Sequence, residues 1–156
     1  LYCSAEANSK YQADTIRTYL EEYGYTCKDY TFADSNDIAA VTTSATSECD
    51  VLYVPTDNTS ASNTEVINNV CLPAGIPIIA GEEGICSGCG VATLSISYYD
   101  LGVKAAEMAY EILTNGADPA QMAIGYVTDG ITEKYNADIA EALDITIPED
   151  MVAIEN

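Results

Sequence analysis

Short apolar runs recur along this chain with room for a helix between most of them. The runs Leu1–Cys3, Tyr25–Phe32, Val51–Val54, Ile76–Ala80, Val91–Ile96 and Ile124–Val127 are the predicted strands. Stretches such as VLYV and IPIIA are almost continuously apolar. That pattern belongs to strands buried on both faces of a parallel sheet. Between the runs, apolar residues recur at helical spacing. Ile16, Tyr19, Leu20 and Tyr23 share one face, Ile38, Val41 and Ala45 a second, and Val66, Ile67 and Val70 a third. Strands alternating with helices predict βαβ units, and right-handed crossovers place helices on both faces of the sheet. The expected fold is therefore α/β, a three-layer sandwich around a mainly parallel sheet.

Capping signals refine the helix starts. Ser9 to Gln12 and Ser62 to Glu65 both have capping-box spacing. Asp34 and Ser35 precede the second helix, and Asp100 precedes a helix from Leu101 to Leu113, with Gly24 and Gly116 as stops. The segment GEEGICSGCGV, residues 81–91, holds four glycines and reads as a flexible connection.

In a parallel sheet all strands point their carboxyl ends to one edge, and ligands of open α/β sheets bind beyond it. The segments expected at that edge are SAEANS after the first strand, PTDNTS after the third, GEE after the fourth and SYYD after the fifth. They bring Ser4, Glu6, Asn8, Ser9, Asp57, Asn58, Thr59, Glu82 and Tyr99 to one side. Helix starts and hydroxyls suit a carboxylate, while Asp57, Glu6 and Glu82 suit an ammonium. A site offering both fits a zwitterion such as an amino acid. Asp57 is the expected ammonium partner, the helix start near Asn8 and Ser9 the expected carboxylate partner, and Tyr99 a flat contact surface. Taken singly, each has a plainer reading as a helix cap, a solvated acid or a packing ring. Their convergence on one edge carries the functional reading.

Charge and composition narrow the classes. The chain has 156 residues, 25 acidic and 5 basic, for a formal net charge of -20. Nucleic acid and anionic membrane surfaces need clustered cations and are excluded as partners. With no histidine, histidine-based catalysis and metal sites are excluded within this stretch. No nucleophile elbow, P-loop or dinucleotide fingerprint occurs. A phosphoacceptor receiver domain would need an acidic pair after the first strand, and only Glu6 stands there. The six cysteines include the CxxC pair Cys86 and Cys89, open to three readings: a metal site, a local disulfide or dithiol, or an incidental pair. No cofactor is expected. The chain opens on Leu-Tyr-Cys rather than an initiator methionine, so a truncated or processed chain is expected.

The segments YCSAEANS (2–9), VLYVPTDNTSAS (51–62), GIPIIAGEE (75–83), GVATLSISYYDLGVKAAEMAYEIL (90–113) and YNADIAEALDITIPEDM (135–151) resemble the C-terminal part of ABC-transporter substrate-binding proteins of the periplasmic-binding type I fold. They are similar to the branch linked to tryptophan and tyrosine uptake. The resemblance implies an extracytoplasmic receptor, periplasmic or lipid-anchored, that traps a small ligand between two lobes. It also implies delivery to a membrane permease driven by an ATPase. Residues 1–83 would be second-lobe α/β domain, 84–127 a crossover and segment of the first lobe, and 128–156 a C-terminal helix and tail. The segment lacking its lobe would pack differently or pair with another copy. The cysteines of ICSGCG have no counterpart in the resemblance. Two other classes fit the same residues. A ligand-sensing domain of a regulator would need a signalling segment, and a small α/β enzyme would use the strand-end carboxylates and turn substrate over.

Overall fold

A computed structural model describes residues 1–128 and 130–155. The strands are β1 (Tyr2–Ser4), β2 (Tyr30–Phe32), β3 (Leu52–Val54), β4 (Ile78–Ala80), β5 (Ala92–Ser95), β6 (Thr132–Tyr135) and β7 (Val152–Ala153). The helices are α1 (Ala7–Glu22), α2 (Ile38–Thr46), α3 (Asn58–Ala61), α4 (Thr64–Cys71), α5 (Glu83–Cys89), α6 (Tyr98–Asn115) and α7 (Ala137–Ala142). β1 pairs parallel with β2, placing Cys3 opposite Thr31. A five-stranded sheet runs in the order β3-β4-β5-β6-β7. In it Tyr53, Ile79 and Ala92 lie abreast on three parallel strands, and β6 and β7 are also parallel. β1 lies beside β3. The fold is α/β with a mainly parallel sheet, as the apolar runs predict.

Strand alternation divides the core. Tyr2, Leu52, Val54, Ile78 and Ala80 point to one face and pack with Ile38, Ala45, Ile67, Cys71, Ile85, Cys86 and Cys89 of α2, α4 and α5. Leu1, Cys3 and Tyr53 point to the other, against Ala13, Ile16 and Leu20 of α1. Val91, Ile139 and Ala140 form a third cluster with Tyr135 and Leu143. Burying one such aliphatic side chain contributes about 1.5–3 kcal/mol.

The chain divides into two compact units. The first comprises Leu1–Leu94 and the stretch from Glu133 onward, and the second Ser95–Thr132. In the second unit, Ser97 caps α6 by accepting the Asp100 N–H, and Gly116 ends the helix with φ 70°. Gly125 lies against Met108 and Lys104.

Several local expectations change. Helix α1 starts at Ala7, so Ser9 is inside it rather than capping it. Ser62 ends α3, and α4 begins after Asn63. Asp34 accepts the Asn36 N–H in a turn, and α2 begins four residues later, at Ile38. Ser97, not Asp100, caps α6. Ile124–Val127 forms no strand, because a strand needs a partner and the second unit offers none among its described residues. Tyr25–Phe32 contracts to Tyr30–Phe32. The glycine-rich stretch 81–91 contains a helix, α5, with Ile85, Cys86 and Cys89 buried. Gly88 is needed there because a Cβ would run into Thr64 of α4.

Candidate functional site

The ends of β1, β3 and β4 are stitched into one polar edge. Asp57 follows β3 and caps α3, its Oδ1 accepting the Ser60 N–H at 2.8 Å. Its Oδ2 accepts the Ser4 backbone N–H at 2.8 Å and the Ser4 hydroxyl at 2.6 Å. Asp57 and Ser4 are both buried. Burial pushes the Asp57 carboxyl up, but the hydrogen bonds donated by Ser4 and Ser60 outweigh it and leave the pKa below the usual value.

Glu6 precedes α1, and its side chain makes no capping bond to that helix. Its carboxylate reaches across to α3, accepting from the Asn58 amide at 2.8 Å, with longer approaches from the Asn58 and Thr59 N–H groups and the Thr59 hydroxyl. Asn8 and Ser9, on the first turn of α1, donate to the Thr56 carbonyl at 2.9 and 3.0 Å. The Thr56 N–H in turn donates to Gln12 Oε1 at 2.9 Å, and its hydroxyl to the Gly81 carbonyl at 3.3 Å. Gly81 has no room for a side chain: a Cβ would lie 2.6 Å from the Thr56 nitrogen and 2.7 Å from the Pro55 carbonyl carbon. The next residue, Glu82, caps α5 by accepting the Gly84 N–H at 2.9 Å and the Ile85 N–H. Its neighbour Glu83 pairs with Lys134 of β6 at 2.7 Å.

The structure therefore brings Ser4, Glu6, Asn8, Ser9, Asp57, Asn58 and Thr59 together. It also sorts them by exposure. Ser4, Ser9 and Asp57 are buried with their polar atoms bonded inside the protein, while Glu6 and Thr59 are half-buried and Asn8 and Asn58 exposed. Glu82 stands at the end of β4, half-buried. Tyr99 belongs to the second unit, exposed on the first turn of α6. Gln12 lies outside the segments the sequence placed at this edge, and Thr56 and Gly81 lie inside them but were given no role there. For Gly81 the signal was available: a glycine directly after a buried strand and before a helix cap marks close backbone approach.

Cys71, Cys86 and Cys89 are buried free thiols. Burial pushes each up to about 12. The Cys86 and Cys89 thiols point to the carbonyls of Gly90 and Ile85. Among the described residues no group of three histidine, cysteine or acidic side chains converges as metal ligands. No helix among them is long and apolar enough to cross a membrane.

A parallel α/β unit with helix caps and carboxylates gathered at the strand ends is the architecture of a ligand-binding lobe. A family model described as ABC transporter substrate binding protein matches residues 1–155, and the chain belongs to that family. It is 37% identical over 113 residues to a "Tyrosine-binding protein" of Clostridioides difficile strain R20291, covering 72% of this chain and 33% of that protein. Among solved structures, it resembles an ABC domain in complex with L-Trp from Streptococcus pneumonia, with TM-score 0.88 and 32% identity, covering 98% of this chain and 54% of that one. It also resembles the ligand-free, open form of a substrate-binding protein with adhesive properties from Clostridium difficile. There the TM-score is 0.76 and the identity 32%, over 99% of this chain and 53% of that one. The chain thus spans about half the length of the solved relatives it matches and a third of the curated one.

Proposed function

We propose that this chain is the ligand-binding portion of an extracytoplasmic solute receptor for an amino acid, with an aromatic side chain preferred. The receptor hands its ligand to the permease and ATPase of an ABC importer. The observation that carries this reading is the stitched strand-end edge, which fixes carboxylates, amides and a hydroxyl side by side at the expected ligand edge of an α/β lobe. Binding breaks no bond and requires no cofactor. The aromatic preference draws on the tyrosine-binding and L-Trp-bound relatives.

Glu6 and Glu82 are assigned the ammonium, and Asn8, Asn58 and Thr59 the carboxylate. Asp57 takes a different role from the one expected of it. Its carboxylate is buried and already accepts three hydrogen bonds, so it holds Ser4 and α3 in place for the residues that meet ligand. Ser9 does the same for the Thr56 loop. Tyr99 is assigned a ring contact. The second unit, Ser95–Thr132, is assigned to the other lobe of the receptor.

Calorimetry of the full-length receptor against the twenty amino acids tests this. Tyrosine or tryptophan should bind, and Glu6→Gln should weaken binding about tenfold, a change of about 1.4 kcal/mol, in a protein that still melts cooperatively. If none of the twenty binds, the amino-acid reading is wrong.

A further inference from the structure

Lys134 is the second residue of the first unit after the chain returns from the second. Its ammonium donates to Glu83 Oε2 at 2.7 Å, across 51 residues of sequence. All five basic residues of the chain pair with acids, and Lys10 and Lys104 do so within their own helices. Lys134 and Glu83 are 28% and 37% exposed, and no other described pair shields both partners as well. Arg17 is 25% exposed, but its partners Glu21 and Asp29 are 54% and 57%. A pair partly withdrawn from water is screened less by salt than an exposed one.

Glu83 directly follows Glu82, whose two oxygens accept the Gly84 and Ile85 N–H groups. Adjacent carboxylates repel each other, and an unpaired Glu83 would compete with Glu82 for the same N–H groups. Lys134 draws Glu83 aside. The strand that carries Lys134 is itself held. Two residues further on, the Asn136 N–H donates to the Val91 carbonyl, and its side-chain amide donates to the carbonyls of Cys86 and Ser87 in α5. Glu83 is thus tied to a fixed post, and Glu82 is left alone on its cap.

We propose that Lys134 is a positioning residue for the ligand edge: by holding Glu83, it keeps Glu82 aimed at the solute. Lys134 does not meet the solute itself. The inference rests on the assignment of Glu82 to the solute's ammonium.

The test uses the full-length receptor, with L-tryptophan and L-tyrosine as probes. In calorimetry, Lys134→Met should raise Kd about fivefold, the upper range for an ion pair that water still reaches, and Lys134→Arg should restore it. In a Glu82→Gln background, Lys134→Met should change Kd no further, because it acts through Glu82. Without ligand, Lys134→Met should speed hydrogen exchange at Gly84 and Ile85 about fivefold and leave Ile139 unchanged. Unchanged exchange at Gly84 and Ile85 would overturn the inference whether or not a solute binds. So would equal acceleration at Ile139, since Lys134 would then be a tie for the whole returning segment. Where the wild type binds, undiminished affinity in Lys134→Met, or an equal loss in the Glu82→Gln background, would also overturn it. A wild type that binds none of the twenty amino acids counts against the amino-acid reading, and the exchange at Gly84 and Ile85 then decides whether Lys134 positions Glu82.

Discussion

Asp57 accepts two hydrogen bonds from Ser4, one from its backbone N–H and one from its hydroxyl, across 53 residues of sequence. Together with the Ser60 N–H, these bonds fasten the end of β1 to the start of α3. Replacing Asp57 with alanine leaves buried donors without an acceptor, at about 1–3 kcal/mol for each group stranded. Asp57→Ala should therefore lower stability by about 3 kcal/mol in urea unfolding, with an unchanged m-value. A loss below about 0.5 kcal/mol would mean that water replaces the carboxylate.

The same carboxylate gives stability an acid limb. Its folded pKa lies below the ordinary value, so its contribution is present above the unfolded pKa of about 3.9. That contribution is lost as pH falls through the folded value. Tm of the wild type should drop below about pH 4. Asp57→Asn should start lower and decline less over that interval, which a series of thermal melts from pH 6 to pH 2.5 would resolve.

Ser4 and Asp57 also mark how far the sequence could be read. Residue types and strand periodicity placed both at one sheet edge, which is where they are. The sequence could not say whether their polar atoms point outward to a ligand or inward to each other, because that is fixed by contacts 53 residues apart. Ser9 shows the same limit: local spacing suggested a cap, but the helix starts two residues earlier and the Ser9 hydroxyl donates to the Thr56 carbonyl, 47 residues away. In GEEGICSGCGV, glycine count suggested a loop. Burial of Ile85, Cys86 and Cys89 overrides that weak propensity. The missed strands β6 and β7 are short, and neither carries the continuous apolar run that marks β3 and β4.

The CxxC pair should be chemically silent. With thiols pushed up to about 12, only about one in ten thousand would be ionised at pH 8, and the thiolate is the reactive form. Native protein should leave Cys71, Cys86 and Cys89 unmodified by a disulfide reagent over hours, and unfolded protein should expose them all. Because the folded pKa is raised, stability should also fall as pH rises above about 9, where unfolded thiols ionise and buried ones do not.

Asn136 fastens the returning chain. Its side-chain amide donates to the carbonyls of Cys86 and Ser87, and its Oδ1 accepts the Ile139 N–H to cap α7. It is 5% exposed. Asn136→Ala should cost about 2–3 kcal/mol, and hydrogen exchange should speed up at Ile139 before it does in β3. Equal acceleration in both would show that α7 and the sheet open as one unit.

Gly81 lets β4 come against Thr56 with no side chain between them, and Thr56 is held from the other side by Asn8, Ser9 and Gln12. Three segments that would each need ordering when a solute arrives are thus ordered already. On the proposed reading, a ligand meeting this edge would spend little of its interaction energy on fixing loops, so affinity should follow solute chemistry rather than local rearrangement.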